Sequence, residues 1–137
     1  MKRFIMSLIV SALCAVAMNA EDAVYQVYLY RIGSLSHGLS NATWGKPKEV
    51  QGTITFTDSE IIFSYPEEHH YVSESGTFNW RNDNNGWKTM TMRVHDNEIN
   101  HDMMVVLRKN EKDQLVEAYL MRGDGFAHAY GLVTPEN

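Results

Sequence analysis

The most ordered pattern of chemistry-bearing side chains is Phe126-Ala127-His128-Ala129-Tyr130-Gly131. Alternate residues of an extended strand share a face, so Phe126, His128 and Tyr130 stand on one side and Ala127, Ala129 and Gly131 on the other. A small face turned inward would leave room for a ligand. An aromatic face turned inward would put His128 in a pocket with Tyr130. Either way this strand borders any cavity, although Ala and Gly also simply allow a neighbouring strand to pack closely. Met90, Met92, Met103, Met104 and Met121 all fall on expected strands. Their thioethers could line an adaptable apolar cavity or hold Cu(I), with His95 and His101 adding nitrogen ligands. His95 has the opposite parity to Met90 and Met92, so one undistorted strand cannot aim all three at one ion. Core packing is the default reading of the methionines.

Other constellations carry less. Glu67-Glu68-His69-His70 and His101-Asp102 contain zinc-type donors, but a site needs three or four ligands converging on one point and no H-x-x-x-H spacing is present. The first cluster reads as a solvated loop. Asn82-Asp83-Asn84-Asn85-Gly86 lacks the first carboxylate and the downstream Glu of a calcium loop, and reads as a turn. Gly33-Ser34-Leu35-Ser36-His37-Gly38 is not a nucleophile elbow, and no phosphate-cradling or dinucleotide motif occurs. Trp80 and Trp87 bracket the Asn-rich turn, where aromatics stack on ligands or pack on each other across strands.

These residues must be positioned by strands. Period-two alternation recurs after the first twenty residues, and no stretch of eight or more shows a helical apolar period. Ala23 to Ile32 is Val- and Tyr-rich on both parities, as in a barrel-wall strand covered on both faces. Gly33 to Pro47 is a long Gly- and Ser-rich connection that reads as a loop pinned by Trp44, with one helical turn to carry Leu35 and Leu39. Hairpins follow over Lys48 to Tyr65, turning at Asp58-Ser59, and from Trp87 to Leu107, turning at Asp96-Asn97-Glu98. Short strands are expected at Tyr71 to Ser75, Thr77 to Arg81, Gln114 to Met121 and Phe126 to Val133. The fold class is all-β: an antiparallel meander of about eight strands closing into a barrel, with a two-layer sandwich as the alternative. Closure pairs the first and last strands and leaves no sticky edge. This architecture resembles lipocalin-type barrels in general terms, without the G-x-W signature on the first strand. Trp44 falls instead in Thr43-Trp44-Gly45.

The chain opens as a secretory leader does. Lys2 and Arg3 precede an apolar run from Phe4 to Ala17, and small residues including Ala20 lead into Glu21 and Asp22. The run is too short to span a bilayer. Residues 1–20 are therefore expected to be a cleaved signal peptide and 21–137 a single exported domain, periplasmic or extracellular. Losing Lys2 and Arg3 leaves ten basic against seventeen acidic residues, a net charge of −7. Nucleic acid and anionic membrane surfaces are then poor partners. The one cysteine, Cys14, lies in the leader, so the domain has no disulfide, zinc–thiolate site or cysteine nucleophile.

The function read from these features is an exported, non-catalytic barrel binding a small, largely apolar ligand. Phe126, His128, Tyr130, Met90, Met92 and Trp44 are the candidate ligand-binding residues. No catalytic residue, metal or cofactor is assigned, and the reading leans away from an enzyme. The alternatives are a protein-interaction module or inhibitor of the cell envelope, which predicts a filled barrel with tryptophans outside, and a metal-binding protein or enzyme.

Overall fold

The computed structural model describes residues 23–73, 80–83 and 85–134. The leader expected over residues 1–20, the end of the strand expected at Tyr71 to Ser75 and most of that expected at Thr77 to Arg81 lie outside them. The described alternating segments form β1 (Ala23–Ser34), β2 (Thr43–Trp44), β3 (Lys48–Phe56), β4 (Glu60–Phe63), β5 (His69–Ser73), β6 (Arg81–Asn82), β7 (Lys88–Asp96), β8 (His101–Lys109), β9 (Leu115–Met121) and β10 (Phe126–Leu132). Eight strands close an antiparallel barrel in the order β1-β3-β4-β5-β7-β8-β9-β10, with β10 pairing back onto β1. The short strands β2 and β6 add to β1 and β7. Closure settles the choice against a sandwich, and it removes the free edges that invite aggregation. Among the described residues no helix is long and apolar enough to cross a membrane.

Turn chemistry fixes the hairpins. Between β3 and β4 the Thr57 hydroxyl oxygen accepts the Glu60 N–H at 3.0 Å. Between β8 and β9 the Asn110 carboxamide oxygen accepts the N–H groups of Lys112 and Gln114 at 2.9 and 3.0 Å, while Asp113 adopts a positive φ of 63°. A bulge after Val27 shifts the register of β1 against both neighbours. It lets Val27 and Tyr30 both point inward, which is why β1 shows apolar residues on both parities.

The interior is filled by side chains that meet across it. Tyr25, Phe56, Phe63, Tyr71, Tyr130, Met90, Val105 and Leu107 belong to one buried cluster, with Met92 partly buried against it. Phe63 on β4 packs its ring 4.9 Å from Tyr130 on β10 and 5.6 Å from Tyr71 on β5. The Tyr130 hydroxyl donates to the Tyr65 carbonyl at 3.3 Å. The two Tyr130 contacts tie β10 to the β4 side of the barrel, which is not its neighbour in the sheet, while Phe63 and Tyr71 pack between adjacent strands.

Several strand boundaries differ from the sequence reading. β1 runs two residues past Ile32 because Gly33 and Ser34 pair with both β2 and β10. β4 ends at Phe63; beyond it Ser64 still holds Thr53, its N–H donating to the Thr53 carbonyl at 3.0 Å while its hydroxyl oxygen, in place of its carbonyl, accepts the Thr53 N–H at 2.8 Å. His69 and His70 are the first residues of β5 rather than a solvated loop, pairing with Phe63 and Ile62. The Gly33–Pro47 connection carries a 3-10 turn at Leu39–Asn41 and the short strand β2.

Candidate functional site: an outer groove beside two tryptophan–arginine pairs

The aromatic face of β10 is the inward one. His128 and Tyr130 both approach Tyr30: the His128 Nδ1 lies 2.7 Å from the Tyr30 hydroxyl, and the Tyr30 and Tyr130 rings are 5.3 Å apart. Burial, and then the nearby Arg122 guanidinium, lower the His128 pKa below the usual imidazole value, so at neutral pH the ring is neutral and shares one hydrogen bond with the Tyr30 hydroxyl. Phe126 shares this face but stands at the barrel rim, 47% exposed. Met90 is buried in the interior on β7, Met92 is partly buried beside it, and Trp44 lies outside the wall. The structure thus joins His128 with Tyr130, places Met90 in the same interior cluster as Tyr130 with Met92 packed against it, and leaves Trp44 apart from them.

The buried neutral state of His128 makes stability depend on acidity. Its folded pKa lies below the unfolded value of 6.5, so the stability its neutral form contributes is complete above pH 6.5 and is lost as pH falls through the folded value. Thermal melts of the wild type between pH 8 and pH 5 should therefore fall more steeply than those of His128→Gln. Parallel pH profiles for the two proteins would refute this.

The small face of β10 looks outward. Ala129 joins Val106 and Tyr119 in a second buried cluster on the barrel surface, covered by Leu39 and Trp44 from the Gly33–Pro47 connection. Gly33 is the seat of the Trp44 ring: a Cβ there would lie 2.5 Å from the nearest ring carbon. Gly33→Val should expel the ring, red-shift tryptophan emission and remove about 1–3 kcal/mol of stability, as overpacking does. An unchanged emission spectrum would contradict the contact.

Beside this cluster runs a half-open groove of about 670 Å³. Its lining includes Tyr28, Leu29, Arg31, Trp87, Glu117, Tyr119, Ala129 and Gly131. The depth comes from Ala129 and Gly131, which place no large side chain over the sheet. Two cation–π pairs stand at it: Arg31 over Trp44 at 4.7 Å and Arg108 over Trp87 at 4.6 Å. Arg108 donates to the Glu117 carboxylate at 3.1 Å, and the Tyr119 hydroxyl donates to the same oxygen at 2.7 Å. Asp83 accepts from the Thr89 hydroxyl at 2.8 Å and from Arg108 at 3.5 Å, and its N–H closes onto the Trp87 carbonyl at 2.7 Å. Trp87 is thereby held by its loop and by its cation together.

Chemically this is a binding surface more than a reactive one. Burial, reinforced by the Glu117 carboxylate, pushes the Tyr119 phenol up to about 12, so it holds its proton throughout the neutral range. Glu117 is engaged by two donors. What the groove offers is apolar and aromatic area with a guanidinium and a carboxylate at its sides.

Of the residues singled out by sequence, Tyr130 also borders the groove, and Trp44 abuts it through Arg31 and Tyr119. Arg31, Arg108, Glu117 and Tyr119 were not singled out. Arg108 and Glu117 oppose each other across the β8–β9 hairpin, but a register shift between Arg108 and Lys109 moves the pairing by one residue. Counting back from the turn therefore misses the pair. Trp80 and Trp87 do not pack on each other: Trp80 lies against the core cluster with Lys109 Nζ 4.5 Å from its ring, and Trp87 faces Arg108. Comparison with protein-family models, curated proteins and solved structures finds no match.

Proposed function

We propose that the protein is an exported, non-catalytic β-barrel that binds a small, largely apolar ligand in the outer groove rather than in the lumen. The carrying observation is the groove itself, whose volume of about 670 Å³ falls within the roughly 300–1,000 Å³ common for small-molecule sites. Its walls are mostly apolar, and Arg31 and Glu117 supply the few polar groups that would orient a guest. Export rests on the basic-then-apolar leader over residues 1–20.

A second reading is favoured by a separate observation. The barrel interior is filled and two tryptophans stand outside it, as expected of an interaction module, and Tyr28 and Val133 at the groove are each 48% exposed. On that reading the groove receives a side chain of a protein partner.

Titration with 1-anilinonaphthalene-8-sulfonate, followed by tryptophan quenching, separates the two. Saturable one-to-one binding with near-UV circular dichroism unchanged supports the small-ligand reading. Weak, unsaturable enhancement sinks it and moves the weight to a protein partner.

A further inference from the structure

At one barrel mouth, three ligand-type side chains from separate segments converge. His69 is the first residue of β5, Asp96 the last of β7, and Glu98 lies in the turn between β7 and β8. One donor atom from each lies within 4.8 Å of the others. His69 Nδ1 is shielded from water and has no hydrogen-bond partner, and its nearest ionisable neighbour is Glu98 Oε1 at 3.9 Å. Its other nitrogen, Nε2, faces Glu67 Oε1 at 3.9 Å. The ring is stacked on buried Tyr71 at 6.0 Å and 19°, which fixes its direction. Asp96 is only 4% exposed and accepts the Glu98 N–H at 2.9 Å. Among the described residues no lysine or arginine lies within 4.0 Å of either the Asp96 or the Glu98 carboxylate. A buried carboxylate ordinarily has a cation or a metal beside it.

We propose that His69 Nδ1, Asp96 and Glu98 bind a divalent first-row transition cation of the zinc class, with water completing the coordination. An imidazole nitrogen that faces two carboxylates and finds no donor is arranged as a ligand, and Glu67 at Nε2 is the outer carboxylate that orients such a histidine. One nitrogen and two oxygens suit zinc, whereas calcium takes six to eight oxygens. Metal–ligand bonds of about 2.0–2.2 Å place tetrahedral ligand atoms about 3.4 Å apart. The 3.9 Å His69–Glu98 separation therefore needs to close by only about half an ångström. Glu98, with its side chain 78% exposed, is free to move by that amount. The ion would also do structural work: among the described residues β5 and β7 are joined by the pairs Val72 with His95 and Ser73 with Val94, and the metal would clip this seam at its end.

The test uses the chain stripped of metal with a chelator and titrated with Zn²⁺ against a chromophoric competitor, with thermal melts in parallel. One Zn²⁺ per chain is expected, together with a raised melting midpoint. Glu98→Gln, an exposed change that leaves the core intact, should weaken binding at least tenfold and abolish the thermal shift, as should His69→Gln. His70→Gln should leave both unchanged. Absence of Zn²⁺ binding by the folded protein overturns the proposal, and so does binding that survives both Glu98→Gln and His69→Gln, whatever His70→Gln does.

Discussion

Phe63→Ala should lower unfolding free energy by about 3–5 kcal/mol, the range for an aromatic deleted from a packed core. Phe63 is 1% exposed and lies between Tyr71 and Tyr130, so no single neighbour can collapse into the space it vacates. The loss is a large fraction of the roughly 5–15 kcal/mol that stabilises an ordinary domain. Urea titration should show a lowered midpoint with little change in slope. A loss under about 1 kcal/mol would mean that Phe63 lines an open lumen rather than a filled one. That result would restore the interior as the binding site.

Trp87→Ala should weaken binding of 1-anilinonaphthalene-8-sulfonate about thirtyfold, roughly 2 kcal/mol, the cost of truncating a central aromatic anchor. Trp87 supplies a groove wall, and the cation–π contact with Arg108 orders that wall before any ligand arrives. Stability should change far less than in Phe63→Ala, because Trp87 is not part of the buried interior cluster. Isothermal titration on the two variants separates these roles. If Trp87→Ala leaves affinity intact, the groove is not where the probe binds.

Much of the barrel was legible because its signals are local. Alternation in Thr53-Ile54-Thr55-Phe56 and in Thr89-Met90-Thr91-Met92 identifies hairpin strands, and both segments pair as antiparallel ladders. β1 is a wall strand, paired with β3 on one side and β10 on the other, but its two-sided apolar pattern does not mean cover on both faces: the bulge after Val27 produces it, and Tyr28 and Ile32 are exposed. What was not legible depends on which face turns inward and on bulges. The Phe126–Gly131 pattern left two orientations open, and only the pairing of β10 with β1 and β9 turns His128 and Tyr130 into the barrel. The shift at Arg108 hides the Glu117 pair from any count along the hairpin. His69 meets Asp96 and Glu98 only because β5 lies beside β7, a neighbour relation that residue spacing does not carry.

The measurement that bears most directly on the groove as binding site is amide and methyl chemical-shift mapping of the folded protein during titration with 1-anilinonaphthalene-8-sulfonate. Saturable shifts are expected on Trp87, Glu117, Ala129 and Gly131 at the groove, with the interior residues Met90, Val105 and Leu107 unmoved. Shifts centred on Met90, Val105 and Leu107, with the groove silent, would contradict the groove as binding site.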